Sequence, residues 1–233
     1  MSPAAARPTT SSTSGSGTGG AQTAPNSSES KRLGRPPDAD SSDTRRRILD
    51  IGRSAFARGG YDAATNRQLA DEVGITAGAL YHYFGSKLDL YVAVHDDIQE
   101  RIYARFNEAI GADAGFLANF EAVLDAAHVM NREDPTLAAF VGVVRSDMRR
   151  RPEIEALLRS EAERRDDFFV RLVDGGVATG EIDRTNRPFV VEFVRIVLIG
   201  LTDGVSHDYT RHKRAVTSIK RVLRGDLLST DGS

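Results

Sequence analysis

The sequence predicts an all-α fold in which a small N-terminal unit of three helices, the last two forming a helix-turn-helix, precedes a larger helical bundle. From Thr44 onward the apolar residues recur at the spacing of a helix face. Gly and Pro interrupt this pattern at intervals that suit ordinary helices. The alternation typical of a half-buried strand is absent from the sequence.

Composition excludes several classes of protein. There is no Cys among the 233 residues, which rules out disulfides and thiolate metal sites. The longest apolar run, Val190 to Leu201, is interrupted by two charges and is shorter than the ~20 residues of a membrane span. With no apolar signal segment at the N-terminus, we expect a cytoplasmic protein without a membrane partner.

The chain divides into four predicted regions. Residues 1–30 are rich in Ser, Thr, Gly, Ala and Pro, which predicts a disordered tail. Residues 31–43 form a basic arm and an acidic spacer, residues 44–90 the helix-turn-helix unit, and residues 91–228 the larger helical part.

Capping signals define the helices of the N-terminal unit. A first helix runs from Thr44 to Gly59-Gly60. Thr65-Asn66-Arg67-Gln68 is a capping box that starts a second helix, which Gly74 ends. Thr76 caps a third helix, and Ser86 caps a long fourth one. Five further helices are predicted, at about residues 114–131, 135–150, 153–175, 186–207 and 211–225.

A helix-turn-helix of this kind is a DNA-binding device. The first of its two helices crosses the DNA backbone and the second enters the major groove. The small residues Ala77, Gly78 and Ala79 let that second helix approach base edges closely. Because the net charge is only −2, any attraction to DNA must come from a local patch.

The segment from Ile48 to Lys87 closely resembles the N-terminal domain of the TetR family. The resemblance is carried by Ala55-Phe56, Gly59-Gly60-Tyr61, Leu69-Ala70, Val73-Gly74-Ile75 and the run from Gly78 to Lys87. It covers roughly residues 44–95, and the remainder matches the family only in helix number and length. The resemblance implies a DNA-binding regulator, most simply a repressor, that is a homodimer on a palindromic operator and responds to a small molecule.

The same resemblance implies roles for individual residues in DNA binding. These are the start of the second helix and the exposed part of the third: Thr65, Asn66, Arg67, Thr76, Ala77, Gly78, Ala79, Tyr81, His82 and Tyr83. Tyr81 and Lys87 match positions that grip phosphates. The alternatives are a half-buried core tyrosine at 81, a solvated imidazole at 82 and a solvated charge at 87.

The basic arm offers a second contact with DNA. Gly34-Arg35-Pro36 resembles the core of an AT-hook, whose extended Arg lies in the minor groove, although Leu33 stands where the usual hook has Arg. The alternative is a flexible tether that only adds phosphate attraction. Arg45 joins Arg35 in the predicted DNA-binding set.

The larger part is expected to bind a ligand and to dimerise. The helix at 186–207 is apolar nearly all round, so it is either an interface helix or the central helix of a monomer. The interface prediction names Val190, Val194, Val197, Leu198 and Leu201. A pocket is implied by the family, and its candidate lining residues are Phe106, Phe120, His128, Met130, Phe140, Val144, Met148, Phe168 and Phe169. Acidic groups do not stand out within the apolar stripes, which favours a largely apolar ligand.

Two other functional classes fit the sequence less well. The five His residues form no recognised catalytic or metal motif, and Asp208 with His212 is more simply a solvated pair than a metal site. No phosphate-binding Gly loop or nucleophile elbow is present, so we expect no enzyme, no cofactor and no metal. A non-specific architectural DNA-binding protein is disfavoured by the pI of about 6.2.

Overall fold

The protein is described by a computed structural model covering residues 37–112, 114–205 and 208–227, with the side chains of 37–40, 160–166 and 203–205 outside the description. Within these ranges the chain forms nine α-helices and no strand, so the predicted all-α class is confirmed. The helices are α1 Pro37–Ala63, α2 Asn66–Val73, α3 Ala77–Tyr83, α4 Lys87–Ala109, α5 Phe116–Glu133, α6 Pro135–Arg150, α7 Pro152–Thr179, α8 Arg187–Val205 and α9 Tyr209–Arg224. The predicted tail and the Gly34-Arg35-Pro36 arm lie outside the described residues.

Helix α1 begins earlier than predicted. Its first residue is Pro37 rather than Thr44. Pro suits the first turn of a helix, because its fixed φ is helical and its missing N–H would have had no partner there. Regular geometry stops at Gly60, whose φ of 81° and ψ of −176° lie in a region that is essentially restricted to Gly.

The helix-turn-helix does not have a core of its own. Ile48, Phe56, Leu69 and Leu80 from α1–α3 belong to one cluster of buried side chains. That cluster continues without a break into α4, α6 and α7 through Leu90, Tyr91, Val94, Ile98, Leu137, Phe140, Val144, Ile154 and Leu158. Helix α1 packs along both α4 and α6. The helix-turn-helix unit therefore rests on α4, α6 and α7 of the larger bundle.

A second core lies among α4, α5, α7, α8 and α9. Phe120, Val123, Val173 and Val194 are fully buried there. Helix α7 runs through the glycine pair at 175–176, where a break was predicted, and ends at Gly180. The predicted end was wrong because Gly176 serves packing: a Cβ there would lie 2.5 Å from the Cβ of Phe116. No helix in the described ranges is long and apolar enough to cross a membrane.

Candidate nucleic-acid interface and effector cavity

Side-chain caps fix both helices of the helix-turn-helix. The Thr65 hydroxyl accepts from the Gln68 amide at 3.2 Å, and Gln68 Oε1 accepts from the Thr65 amide at 3.1 Å. This reciprocal pair is the predicted capping box. At the start of α3 the Thr76 hydroxyl accepts from the Ala79 amide at 3.1 Å. Gly74, with a left-handed φ of 79°, turns the chain between the two helices.

Helix α3 presents small and polar residues to solvent. Ala77, Gly78 and His82 are exposed, and Tyr81 is 48% exposed, which excludes a core role for that tyrosine. On the opposite face Leu80 is buried in the first core. The exposed face therefore has room for a partner to approach the backbone closely.

The start of α2 contacts this exposed face directly. The side-chain amide of Asn66 hydrogen-bonds the hydroxyl of Tyr81. Arg67, the next residue, has a side chain that is 91% exposed. Arg45 is also exposed, and its guanidinium lies 5.1 Å from the centre of the Phe84 ring. Asn66 and Arg45 therefore place a polar and a cationic group beside α3 and its C-terminal cap, and Arg67 follows Asn66 on α2.

Lys87 is engaged inside the protein. Its ammonium donates to the carbonyl oxygens of Tyr61 and Ala64, both at 2.9 Å, and lies 4.1 Å from the centre of the Tyr61 ring. Partial burial lowers the pKa of Lys87 below its usual value. The ammonium thus ties the start of α4 to the end of α1 and the residue after it, and its predicted contact with a phosphate stays a prediction.

A cavity of about 340 Å³ lies among α4, α5, α6, α7, α8 and α9. Five of the predicted lining residues do line it, namely Phe106, Met130, Val144, Met148 and Phe169. The other four were wrong. Phe120, Phe140 and Phe168 are buried in the two cores, where aromatic side chains serve packing rather than a ligand. His128 contacts the lining residue His212 instead.

The polar part of the cavity wall was missed by the sequence analysis. It consists of His95, Gln99, Asn131, Arg145, Arg195, Thr202 and His212. Most of these are single polar residues in helices with apolar stripes. A polar residue within such an apolar stripe is the signal that could have located the cavity wall, since a polar group on the inner face of a helix needs a partner.

His128 and His212 form a stacked pair between α5 and α9. Their Nδ1 atoms are 3.1 Å apart and their ring centres 5.2 Å apart. Burial lowers the pKa of both imidazoles below the ordinary value. Asp208 caps α9 by accepting from the Arg211 amide at 3.0 Å, so Asp208 and His212 serve separate structural roles.

Asp147 is the most deeply buried acid of the described part of the chain and was not anticipated. It lies in the apolar stripe of α6 and is 1% exposed. Its carboxylate accepts from the Tyr61 amide at 2.8 Å, the Tyr91 hydroxyl at 2.9 Å and Arg150 at 2.8 Å. This corrects the expectation that no acid stands out in the apolar stripes. The group faces α1 and α4, however, and does not line the cavity.

The exposed apolar side chains of α8 differ from the residues that were predicted to form the interface. Val194 and Leu201 are buried in the chain's own second core, and Val190, Val197 and Leu198 are half-buried beside it. The exposed apolar side chains are Phe189, Phe193, Ile196 and Ile199. Val194 and Leu201 are not accessible to a partner, which corrects these two members of the predicted interface set, whereas Val190, Val197 and Leu198 stay predictions.

Comparison with known proteins identifies the family to which the chain is related. A family model described as bacterial regulatory proteins of the tetR family matches residues 48–94. The chain is 33% identical over 96 residues, 41% of its length, to the regulators SrpR and TtgW of Pseudomonas putida, and the matches span 45% and 72% of those proteins. It is 28% identical over 192 residues to the regulator UidR of Escherichia coli, covering 80% of this chain and 94% of UidR.

Solved structures support the same fold. GusR of Salmonella enterica superposes with a TM-score of 0.66 at 23% identity, over 80% of this chain and 96% of GusR. The named relatives are transcriptional regulators and not enzymes, in agreement with the expectation that this chain is no enzyme. The chain is therefore a DNA-binding, helix-turn-helix transcriptional regulator that belongs to the TetR family of bacterial regulatory proteins.

Proposed function

We propose that the protein is a repressor that binds a palindromic operator as a homodimer and is released by a small, largely apolar molecule in the cavity. One observation carries this proposal. Helix α4 begins at Lys87, tied to the end of α1, and its later residues Ile102 and Phe106 line the cavity. A single helix thus joins the DNA-binding unit to the effector site.

In this proposal α3 reads the major groove. Ala77, Gly78 and Ala79 permit close approach to the bases, and Tyr81 and His82 reach outward beside them. Thr65, Asn66, Arg67 and Arg45 hold the phosphates on either side. Arg35 of the N-terminal arm adds a minor-groove or phosphate contact.

The second copy is expected at α8. Phe189, Phe193 and Ile196 form an exposed apolar strip on one face of that helix, and apolar strips of this kind mark interfaces. A two-fold axis near this strip would place two recognition helices on half-sites about 34–36 Å apart or a multiple of that spacing.

Release follows from displacement of α4. A ligand pressed against Ile102 and Phe106 would tilt the helix, and because a helix is stiff the tilt would move the Lys87 end. The two recognition helices would then lose the spacing of the half-sites. A regulator of this kind acts in the cytoplasm, at the nucleoid when it is bound to DNA.

The test begins with selection of genomic fragments bound by the purified protein. Binding of the selected duplex and of a scrambled duplex is then measured by fluorescence anisotropy across a range of salt concentrations. We expect the selected duplex to bind at least about 1000-fold more tightly, as specific sites do. Equal affinities at physiological salt would overturn the proposal in favour of a non-specific architectural protein.

A further inference from the structure

The cavity wall contains a buried amide oxygen whose hydrogen-bonding capacity is unused. Asn131 of α5 lines the cavity and is only 5% exposed. Among the residues that the structure describes, nothing hydrogen-bonds its Oδ1 atom. Because an unsatisfied buried acceptor is costly, a hydrogen-bond donor on a molecule in the cavity would be favourable at this point.

The other polar side chains of the wall differ from Asn131 in this respect. They all have interactions within the protein, and they are His95, Gln99, Arg145, Arg195, Thr202 and His212. The Thr202 hydroxyl, for example, donates to the Leu198 carbonyl at 2.9 Å. Asn131 is therefore the polar group whose acceptor is left for a bound molecule.

Aromatic rings and thioethers line the apolar part of the cavity. Tyr103 and Phe106 of α4 and Phe169 of α7 lie there, and the Tyr103 ring meets the other two edge-on at centre distances of 6.0 and 6.3 Å. Met130 and Met148 belong to the same wall. Aromatic rings pack well edge to face, and methionine sulfur contacts ring edges favourably. This wall therefore favours an aromatic body.

The size and charge of the cavity narrow the class of ligand further. Its volume of about 340 Å³ lies at the lower end of the roughly 300–1,000 Å³ of small-molecule sites. The cavity therefore has room for one compact molecule. The described residues that line it include neither Asp nor Glu, so no carboxylate among them favours a cationic ligand.

We propose that the effector is a compact phenol whose hydroxyl group donates a hydrogen bond to Asn131 Oδ1. Its aromatic body packs on Phe106, Phe169 and Met130. A phenol keeps its proton at neutral pH, since its pKa is about 10, so it remains an uncharged donor. This inference rests on the proposed function, because it assigns a chemical class to the effector of the same site.

A matched pair of probes tests the requirement for a donor. β-Naphthol and its methyl ether share the aromatic body and the position of the oxygen, but only the naphthol can donate a hydrogen bond. Because the chain contains no Trp, the fluorescence of both probes is read without a tryptophan background. Titration of the full-length protein should show about tenfold tighter binding of β-naphthol. Equal binding of the two probes, or binding of neither, would overturn the proposal.

The partner of the hydroxyl group is tested by Asn131→Leu. This variant removes the acceptor and keeps a side chain of similar size, so the affinity for β-naphthol should fall about tenfold while that for the ether is maintained. Asn107→Leu is the matched control, because Asn107 is an exposed residue of α4 outside the cavity and its variant should keep the preference. A preference that survives in Asn131→Leu would assign the hydroxyl group to another acceptor.

The stability of the unliganded protein gives a readout that does not depend on the probes. Because Asn131 Oδ1 has no partner among the described residues, replacing it with an apolar side chain removes a cost of folding. Asn131→Leu should therefore raise the melting temperature by about 2–4 °C at fixed protein concentration. A lower melting temperature, or a variant that does not fold, would show that Asn131 has a structural role and would overturn its role in ligand binding.

Failure of the proposed function gives a different result. If β-naphthol binds with the expected dependence on Asn131 but leaves the affinity for the selected operator fragment unchanged, ligand release is wrong and the hydroxyl site stands. If β-naphthol and its ether release operator DNA equally well, the cavity is an effector site and the requirement for a hydroxyl group is wrong.

Discussion

The hydroxyl of Tyr91 donates a hydrogen bond of 2.9 Å to the buried carboxylate of Asp147. Tyr91 belongs to α4 and Asp147 to α6, and the same carboxylate accepts from the amide of Tyr61 at the end of α1. Burial and the neighbouring carboxylate raise the pKa of Tyr91 above its usual value, so the phenol remains a donor at neutral pH. One carboxylate thus joins the DNA-binding unit to two helices that also line the cavity.

Removing this hydrogen bond should destabilise the protein measurably. We expect Tyr91→Phe to lower the free energy of unfolding by about 1.5–3 kcal/mol, because a hydrogen bond to a charged acceptor is lost. Asp147→Ala should cost more, since it leaves both the buried Tyr91 hydroxyl and the part-buried Tyr61 amide without this acceptor. Urea denaturation at fixed protein concentration measures both, and the double variant should cost less than the sum. Additive effects would contradict a direct coupling.

Gly60 beside this carboxylate should tolerate no side chain. Its φ of 81° is strained for any other residue, and a Cβ would lie 3.0 Å from Asp147 Oδ1. We expect Gly60→Ala to cost at least about 1–3 kcal/mol. Gly175→Ala is the matched control, because Gly175 lies inside α7 with open space around it. This variant should raise the free energy of unfolding by about 0.5–1 kcal/mol. Similar thermal melting of the two variants would show that Gly60 is not constrained.

A variant of Lys87 distinguishes a structural role of its ammonium from the phosphate contact that the family resemblance implies. Lys87→Met removes the ammonium that donates to two backbone carbonyls, so we expect a loss of about 1–3 kcal/mol in unfolding free energy. The salt dependence of DNA binding should stay unchanged. Arg67→Met, at an exposed position, should instead lower the salt slope by about one unit with little effect on stability. If Lys87→Met also lowered the salt slope of DNA binding, Lys87 would contact a phosphate as the family resemblance implies.

The stacked histidines predict a pH dependence of stability. His128 and His212 both have pKa values below the 6.5 of an unfolded chain, because burial disfavours the imidazolium. Below about pH 6.5 the unfolded chain binds more protons than the folded one, so stability falls as the pH is lowered. His128→Gln should reduce this dependence, whereas His82→Gln, at an exposed position, should retain it. An unchanged pH profile for His128→Gln would contradict the assignment.

The sequence was informative where local rules decide the structure. The caps at Thr65 and Thr76 and the left-handed turn at Gly74 depend on neighbouring residues, and all three were predicted correctly. The cavity and the carboxylate of Asp147 depend on contacts between distant helices. Helical periodicity locates an inner face, but it does not tell whether a phenylalanine such as Phe140 meets another core residue or an open space.

For the same reason, the sequence did not show that Val194 and Leu201 of α8 are buried while Phe189, Phe193, Ile196 and Ile199 are exposed. Nearly every position on that helix is apolar, so the sequence contains no contrast that distinguishes Val194 from Ile196. The structure resolves this choice because α6, α7 and α9 pack against α8 and leave Phe189, Phe193, Ile196 and Ile199 exposed.

Because the first core is continuous, the helix-turn-helix unit of this regulator cannot simply be exchanged for that of another. Residues 44–90 carry the proposed DNA-contacting surface. Phe56 of α1 nevertheless packs edge-on against Tyr91, with ring centres 4.9 Å apart, and its ring centre lies 6.3 Å from that of Phe140 in α6. A transplant of those residues onto another bundle would expose aromatic surface unless all of α4 and α6 were transferred with them. Changes of operator preference are therefore more accessible through the exposed side chains of α3 than through exchange of the whole DNA-binding unit, and natural variants with new operators should differ mostly at those positions.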